Sequence, residues 1–406
     1  MCGLFSLQDL QKALEGIRLR HTLLIPGARA GDPLASHFQV REIAGCTESD
    51  WKDIVKEELR KPFPPEQGPF ARFVLLRLEE CTELIGVFHH GICDGMSGVY
   101  VMRDALRLLG EPDLVLPAIP SPPDIRTLVP PSVRESPRVQ RRVKGFLAVI
   151  RLTLLFHRLR ARLFPAHNQD RSEGYTIVEG LPPSQRIRIL TNTLTADQTS
   201  ALVARCKAEE TTVHAAICVA WLRAYAAQLK GLKSWIRSAS SPISLRERLA
   251  IPETSGLYLA TAVTKINCAP RRDFWQTARE FKQKMNQAST DENLFMFPLM
   301  IGAIFSHLPE KDLKDILPAL FNRPVQYDFS ITNLGRLDLP VKTGPFEVEA
   351  FYNLVNTSEH EQTVCVNTYN GRLTYSYLFR ESKMDPYDAE KLMGLVTSQL
   401  SKAVGW

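Results

Sequence analysis

His89-His90-Gly91-Ile92-Cys93-Asp94-Gly95 packs more chemically capable side chains together than any other stretch of this chain. The run that precedes it, Glu83 to His90, reads as a strand. The run that follows, Met96 to Leu109, reads as an amphipathic helix ended by Gly110 and Pro112. Titratable groups therefore stand at a strand-to-helix junction. Histidine exchanges protons near neutral pH, so either imidazole suits acid-base work. If the strand runs through both histidines, their side chains point to opposite faces. Asp94 either orients an imidazole or pairs with an arginine to hold the loop. Gly95 removes a side chain where backbone must pass closely. Cys93 beside two histidines invites a nucleophile or metal reading. His89, His90 and Cys93 fall short of the usual four-ligand set, so no metal is expected.

The flanking sequence has the same strand-and-helix character. Phe5 to His21 carries Leu7, Leu10, Leu14 and Ile17 at helical spacing, and Trp51 to Leu59 reads as a second helix. Ala71 to Leu78 and Glu83 to His90 read as strands around a polar turn. Residues 111–137 hold eight prolines, which predicts an extended linker. In 138–164, Val139, Val143, Phe146, Ile150 and Leu154 form one helical stripe. Further on, Arg186 to Thr191 and Gly256 to Asn267 read as strands. Gln198 to Ala208, Val213 to Gln228 and Phe274 to Asn286 read as helices. His214 falls in the most apolar of these and is expected in the core. Phe346 to Val355, Thr363 to Asn367 and Leu373 to Phe379 read as strands, and Asp388 to Leu400 as a closing helix. No internal repeat is detectable.

At 406 residues the chain is too long for one compact core. Its 44% hydrophobic and 23% charged content is globular. Eight cysteines without a Cys-x-x-Cys pair fit a reducing, cytoplasmic location. The opening residues do not read as a signal peptide, and no uncharged apolar run is long enough to span a bilayer. The net charge is +6, yet residues 138–164 carry eight Arg or Lys and no acid, which leaves −2 for the remainder. Basicity confined to one segment argues against nucleic acid as a partner. That segment is read either as a linker helix with solvated arginines or as a peripheral membrane or partner contact.

The pattern H-H-x-x-x-D-G resembles the hallmark of the chloramphenicol acetyltransferase-like superfamily, which includes the condensation domains of peptide synthetases. Supporting stretches are Lys61-Pro62-Phe63, Gly68-Pro69-Phe70-Ala71-Arg72 and Ser97-Gly98. Two more are Ile243-Ser244-Leu245-Arg246-Glu247-Arg248-Leu249 and Ser330-Ile331-Thr332-Asn333-Leu334-Gly335-Arg336. The Asp-Phe-Gly-Trp-Gly element of plant BAHD enzymes and the Asn-Val-Pro-Gly-Pro element of wax synthases are missing. The resemblance is nearest to stand-alone alcohol acyltransferases and polyketide-associated acyltransferases. The family's usual first strand has no counterpart ahead of residue 5.

The resemblance implies an α/β fold with mixed sheets, in which two similar subdomains form a V around a tunnel. The proline-rich and basic stretches divide the sequence into a motif-bearing unit over 1–110, a linker and basic helix over 111–180, and a second unit over 181–406. The resemblance implies acyl transfer from a thioester to an alcohol or amine, with His90 as general base and no acyl-enzyme. Asp94, Gly95 and Arg246 are implied as structural support, and Thr332 and Asn333 as tunnel or oxyanion residues. Cys93 occupies a spacer position and becomes a bystander. No bound cofactor is implied. Acyl-CoA or a phosphopantetheine thioester is the co-substrate, and an acyl carrier protein is a candidate partner. The rival readings are a non-catalytic member of the fold acting by interaction, and a thioester or ester hydrolase.

Overall fold

The computed structural model describes residues 3–24, 38–63, 70–120, 125–163, 186–229, 231, 234–309, 312, 327–356 and 362–406. In chain order the first elements are α1 (Leu7–Arg20), β1 (Phe38–Ile43), α2 (Trp51–Arg60), β2 (Ala71–Arg77), β3 (Thr82–Phe88) and α3 (Gly95–Gly110). Two single turns, α4 (Ile125–Leu128) and α5 (Pro131–Arg134), lead into the long helix α6 (Pro137–Leu163). Then come β4 (Ile187–Thr193), α7 (Ala196–Ala208), α8 (Val213–Gln228), β5 (Ile236–Ser244), α9 (Arg246–Leu249) and β6 (Leu259–Asn267). They are followed by α10 (Phe274–Ala288), α11 (Asp291–Leu294), α12 (Met296–His307) and β7 (Phe329–Arg336). The chain ends with β8 (Lys342–Thr343), β9 (Phe346–Glu347), β10 (Thr363–Tyr369), β11 (Arg372–Arg380) and α13 (Pro386–Val404).

The fold is α/β with mixed sheets. Among the described residues, the early strands form a three-stranded sheet ordered β1-β2-β3, with β1 parallel and β3 antiparallel to β2. The later strands form a six-stranded sheet ordered β4-β11-β10-β7-β5-β6. β7 is parallel to both its neighbours, and its ladder with β10 shifts register between Val366 and Thr368.

Each sheet has its own core. Leu10, Leu14 and Ile17 of α1 pack with Phe38, Phe73 and Leu75 of the small sheet and Val101, Ala105 and Leu108 of α3. α8 lies under the large sheet. Trp221 is fully buried there, with its ring centroid 5.0 Å from Tyr377 and 5.5 Å from Phe329. A third cluster joins the two parts of the chain. Val99 and Leu106 of α3 pack on Leu337, Leu339, Val348 and Tyr369.

Several elements depart from the sequence reading. β3 ends at Phe88, so neither motif histidine lies on a strand and alternation does not separate them. β1 was not expected; its Phe38-Gln39-Val40-Arg41-Glu42-Ile43 is a short pattern with one fully buried residue, Phe38. Only Phe346–Glu347 of the expected strand 346–355 pairs with a neighbour. Asn367 ties the following segment down by donating to the Phe351 carbonyl and to Asn353 Oδ1. The expected linker carries two helical turns; Val129, just after the first, and Val133, in the second, bury with Val139 against Leu245, Leu249 and Tyr258.

His214, at the start of α8, bonds through Nε2 to Ser241 Oγ at 2.8 Å. Burial pushes its pKa down to about 4. The unfolded chain takes up a proton near pH 6.5 that the folded chain refuses, so stability falls as pH drops through the window from 6.5 to 4. His214→Asn is expected to remove about 1 kcal/mol of the stability difference between pH 7 and pH 5, as read by urea unfolding at the two pH values.

Candidate active site

The loop between β3 and α3 is pinned at both ends. His89 N–H continues the ladder by donating to the Phe70 carbonyl at 2.9 Å. Asp94 N–H donates to the Gly256 carbonyl at 3.0 Å, across to the other part of the chain. Between them the backbone turns, with Ile92 N–H closing on the His89 carbonyl at 3.1 Å.

The two histidines are used differently. His89 is exposed, with its ring edge-on to Phe63 and Phe70 at 5.6 and 5.7 Å. Its Nδ1 accepts the Gly91 N–H at 3.1 Å, and partial burial together with the neighbouring His90 lowers its pKa. His90 is half-buried, and its Nδ1 lies 3.1 Å from the Cys93 carbonyl. A carbonyl only accepts, so Nδ1 carries the proton of this bond. In the neutral ring Nε2 is then the lone-pair nitrogen.

Asp94 caps α3. One carboxylate oxygen accepts Ser97 N–H and Ser97 Oγ–H, both at 2.8 Å. Arg246 Nη2 reaches the two Asp94 oxygens at 3.1 and 3.2 Å, and the Tyr258 N–H donates to Oδ2 at 3.0 Å. Ser97 Oγ also accepts from Arg246 Nη2 at 2.8 Å and meets both the Gly256 carbonyl and its N–H. Asp94 and Arg246 are each 5% exposed. Arg246 also reaches the Pro252 carbonyl and lies over the Tyr100 and Tyr258 rings at 5.4 and 5.0 Å, while its Nε is buried without a hydrogen-bond partner. Arg248 points elsewhere and pairs with Asp291 on the surface.

Two glycines make room for this joint. A Cβ on Gly95 would come within 2.8 Å of Leu334 Cδ2, the side chain by which β7 meets the start of α3. Gly256 has φ +154° and its added Cβ would strike Tyr258 Cε2 at 2.2 Å.

A cavity of about 1260 Å³ borders His89 and His90. Its wall is drawn from both parts of the chain, with Phe63, Arg72, Glu83 and Ile85 on one side and Ser240, Thr332, Leu334, Tyr352 and Arg380 on the other. Ligand pockets for single small molecules run to about 300–1,000 Å³, so this one has room for two reactants. Thr332 and Leu334 share a face of β7 and line the wall. Asn333 points the other way along the strand and accepts the Gly335 N–H at 2.8 Å, which holds its own turn. Cys93 is buried, and burial pushes its thiol pKa up, so the thiolate a nucleophile or metal would need is disfavoured. Among the described residues no group of three or more His, Cys, Asp or Glu side chains is placed to hold a metal.

Two participants carried no role in the sequence reading. Ser97 was quoted only as part of the pattern, yet its hydroxyl is the hub between Asp94, Arg246 and Gly256. Its signal is local, an Asp three residues ahead of a Ser at a helix start. Glu83 lines the cavity with Oε2 buried and without a hydrogen-bond partner. Burial raises its pKa to about 7, and Glu48 and Asp50 push in the same direction.

No family model matches this sequence, and no curated protein matches it significantly. Solved structures do. A trichothecene 15-O-acetyltransferase from Fusarium sporotrichioides superposes with a TM-score of 0.66 at 14% identity, covering 98% of this chain and 86% of that one. The cyclization-docking bidomain of EpoB from Sorangium cellulosum gives 0.64 at 15% identity, over 99% and 78% of the two chains. Polyketide synthase associated protein 5 from Mycobacterium tuberculosis gives 0.60 at 16%, over 99% and 92%. The chain shares the fold of these acetyltransferase and peptide-synthetase structures.

Removing one partner of the buried pair leaves the other charge stranded, a loss of about 3–5 kcal/mol. Asp94→Ala is expected to lower unfolding stability by that amount. Adding Arg246→Met is expected to recover part of it, which a double-mutant cycle in urea reads directly. Glu83 takes up a proton on folding between pH 4.5 and 7, so its burial weakens the fold as pH rises through that window. Glu83→Gln is therefore expected to raise the thermal midpoint at pH 8 by about one or two degrees and to leave it unchanged at pH 4.

Proposed function

We propose that this protein is an acyltransferase that moves an acyl group from a thioester to an alcohol or amine. The observation that carries the reading is the His90 ring. It borders a cavity large enough for two reactants, and its Nδ1–H is committed to the Cys93 carbonyl. A fixed tautomer leaves Nε2 as the base. The likeness of fold to an acetyltransferase and to peptide-synthetase domains supports transfer chemistry.

In this mechanism the acceptor enters one arm of the cavity and the thioester the other. His90 Nε2 takes the proton of the acceptor O–H or N–H as its heteroatom attacks the thioester carbon. A tetrahedral oxyanion forms; the hydroxyl of Thr332, which lines the same cavity, is the donor we assign to it. Collapse breaks the C–S bond, and the imidazolium returns its proton to the leaving thiolate. The products are ester or amide and free thiol. The protein forms no covalent intermediate, so holding both reactants in one cavity supplies much of the rate. The donor is acyl-CoA or a carrier-bound phosphopantetheine thioester, and an acyl carrier protein is a partner in the second case.

Asp94 has no lone pair to spare for His90. It is saturated by Ser97, Arg246 and Tyr258, and its work is to hold the loop. The buried Cys93 thiol favours direct transfer over a cysteine-bound acyl group.

The test is free-thiol release across acyl-CoA chain lengths with alcohol and amine acceptors. His90→Ala is expected to lower turnover at least about a thousandfold with unchanged thermal unfolding. Full turnover in that variant would overturn the mechanism. Thiol release that is unchanged when the acceptor is omitted would assign hydrolysis instead. Cys93→Ala is expected to retain transfer.

A further inference from the structure

We infer that α6 is an interfacial anchor that lays this protein on an anionic lipid bilayer. The helix has two apolar faces. The inward one, with Val139, Leu147, Ile150 and Leu154, is buried, and its C-terminal part packs on Ile304 of α12 and on Leu308 just after it. That face accounts for the packing of α6 on the protein. Val149, Leu152, Leu155, Phe156 and Leu159 form a second stripe, 48–65% exposed. Their spacing of three, three, one and three residues gathers them within about 120° of arc, on the side away from the buried face. A run of large apolar side chains on one exposed face exceeds the scattered exposure ordinary for a protein surface.

Charge identifies the occupant. Residues 138–164 carry eight Arg or Lys and no Asp or Glu. Arg138, Arg141, Arg142 and Lys144 are exposed one to three turns ahead of the apolar stripe, and Arg151 is exposed on its flank. Arg138 has a neighbouring acid, Glu292 at 3.7 Å, but the remaining charges described on this helix are not neutralised at ion-pair distance by a carboxylate. An apolar stripe bordered by cations matches the boundary between lipid headgroups and acyl chains. There the side chains enter the hydrocarbon edge and the guanidinium groups meet phosphates. A second copy of the chain is disfavoured as occupant, because pairing two such helices would press like charges together. No helix among the described residues is long and apolar enough to cross a membrane, so α6 lies on the surface. The docking stands on this face alone and is independent of the chemistry in the cavity.

The experiment is flotation of the full chain with phosphatidylcholine vesicles, with and without phosphatidylserine. Co-flotation with the anionic vesicles only, weakened by added salt, is the expected result. Leu152→Ser with Leu155→Ser is expected to lower the bound fraction about tenfold, and Arg141→Glu with Lys144→Glu to do the same. Circular dichroism and thermal unfolding establish that both variants fold; the four side chains are exposed. Absence of binding to anionic vesicles overturns the inference, as does undiminished binding by the serine variant. A dimer on gel filtration that the serine variant abolishes, without vesicle binding, would give the face to a second copy and overturn the lipid assignment.

Discussion

The buried ion pair of Asp94 and Arg246 is the joint on which the rest of this molecule depends. Burying two charges costs several kcal/mol for each, and attraction between them offsets it only when every remaining lone pair and proton is satisfied. Here Asp94 receives two bonds from Ser97 and one from the Tyr258 amide as well as the guanidinium. The pair joins residues 152 apart in sequence. Breaking it would unpick the helix cap, the contact between the two parts of the chain and the loop that carries His90. A second tie, from Arg103 to Glu253 at 2.6 Å, runs between the same two regions. Asp104 anchors Arg103 from within the first region, where it also holds Arg20 and His21.

The joint explains why a short loop presents a histidine in one state. β3 and the Gly256 carbonyl fix the loop's two ends, and the Cys93 carbonyl takes the Nδ1 proton. The imidazole is oriented by main chain, through the Cys93 carbonyl. The ring is held by the geometry of the loop. The cavity opposite it is a product of the same joint, because its walls come from the elements that Asp94 and Arg246 draw together.

α6 shows how one helix can serve two surfaces. Its inner stripe follows the ordinary rule that apolar spacing finds a core. Its outer stripe obeys the same spacing on the opposite side, where the side chains are exposed. A single stripe was visible in the sequence because the two interleave. Val149 and Ile150, or Leu154 and Leu155, are neighbours along the chain but face apart. Only with the inner face buried does the outer one stand out as unaccounted for.

Local pattern was enough for most helices and paired strands, since periodicity and punctuation are properties of adjacent residues. α8 runs from Val213 to Gln228 as its apolar run predicts, and the last helix outruns its expected span by a few residues at either end. The composition of the motif, and its place between a strand and a helix, were equally legible. Where pattern failed, the cause was a distant partner. The strand expected through His90 stops at Phe88 because the backbone turns to deliver Asp94 to Gly256 and Arg246. The expected strand at 346–355 is held by Asn367. Ser97, Glu83 and the cavity wall took their meaning from residues far along the chain. Neighbouring residues along the chain were enough to say which segments coil or extend and which residues carry chemistry. Only the tertiary structure decided which charge meets which, which imidazole nitrogen is free, and which apolar face stays in water. Those outcomes depend on distances and burial in space, which spacing along a chain does not encode.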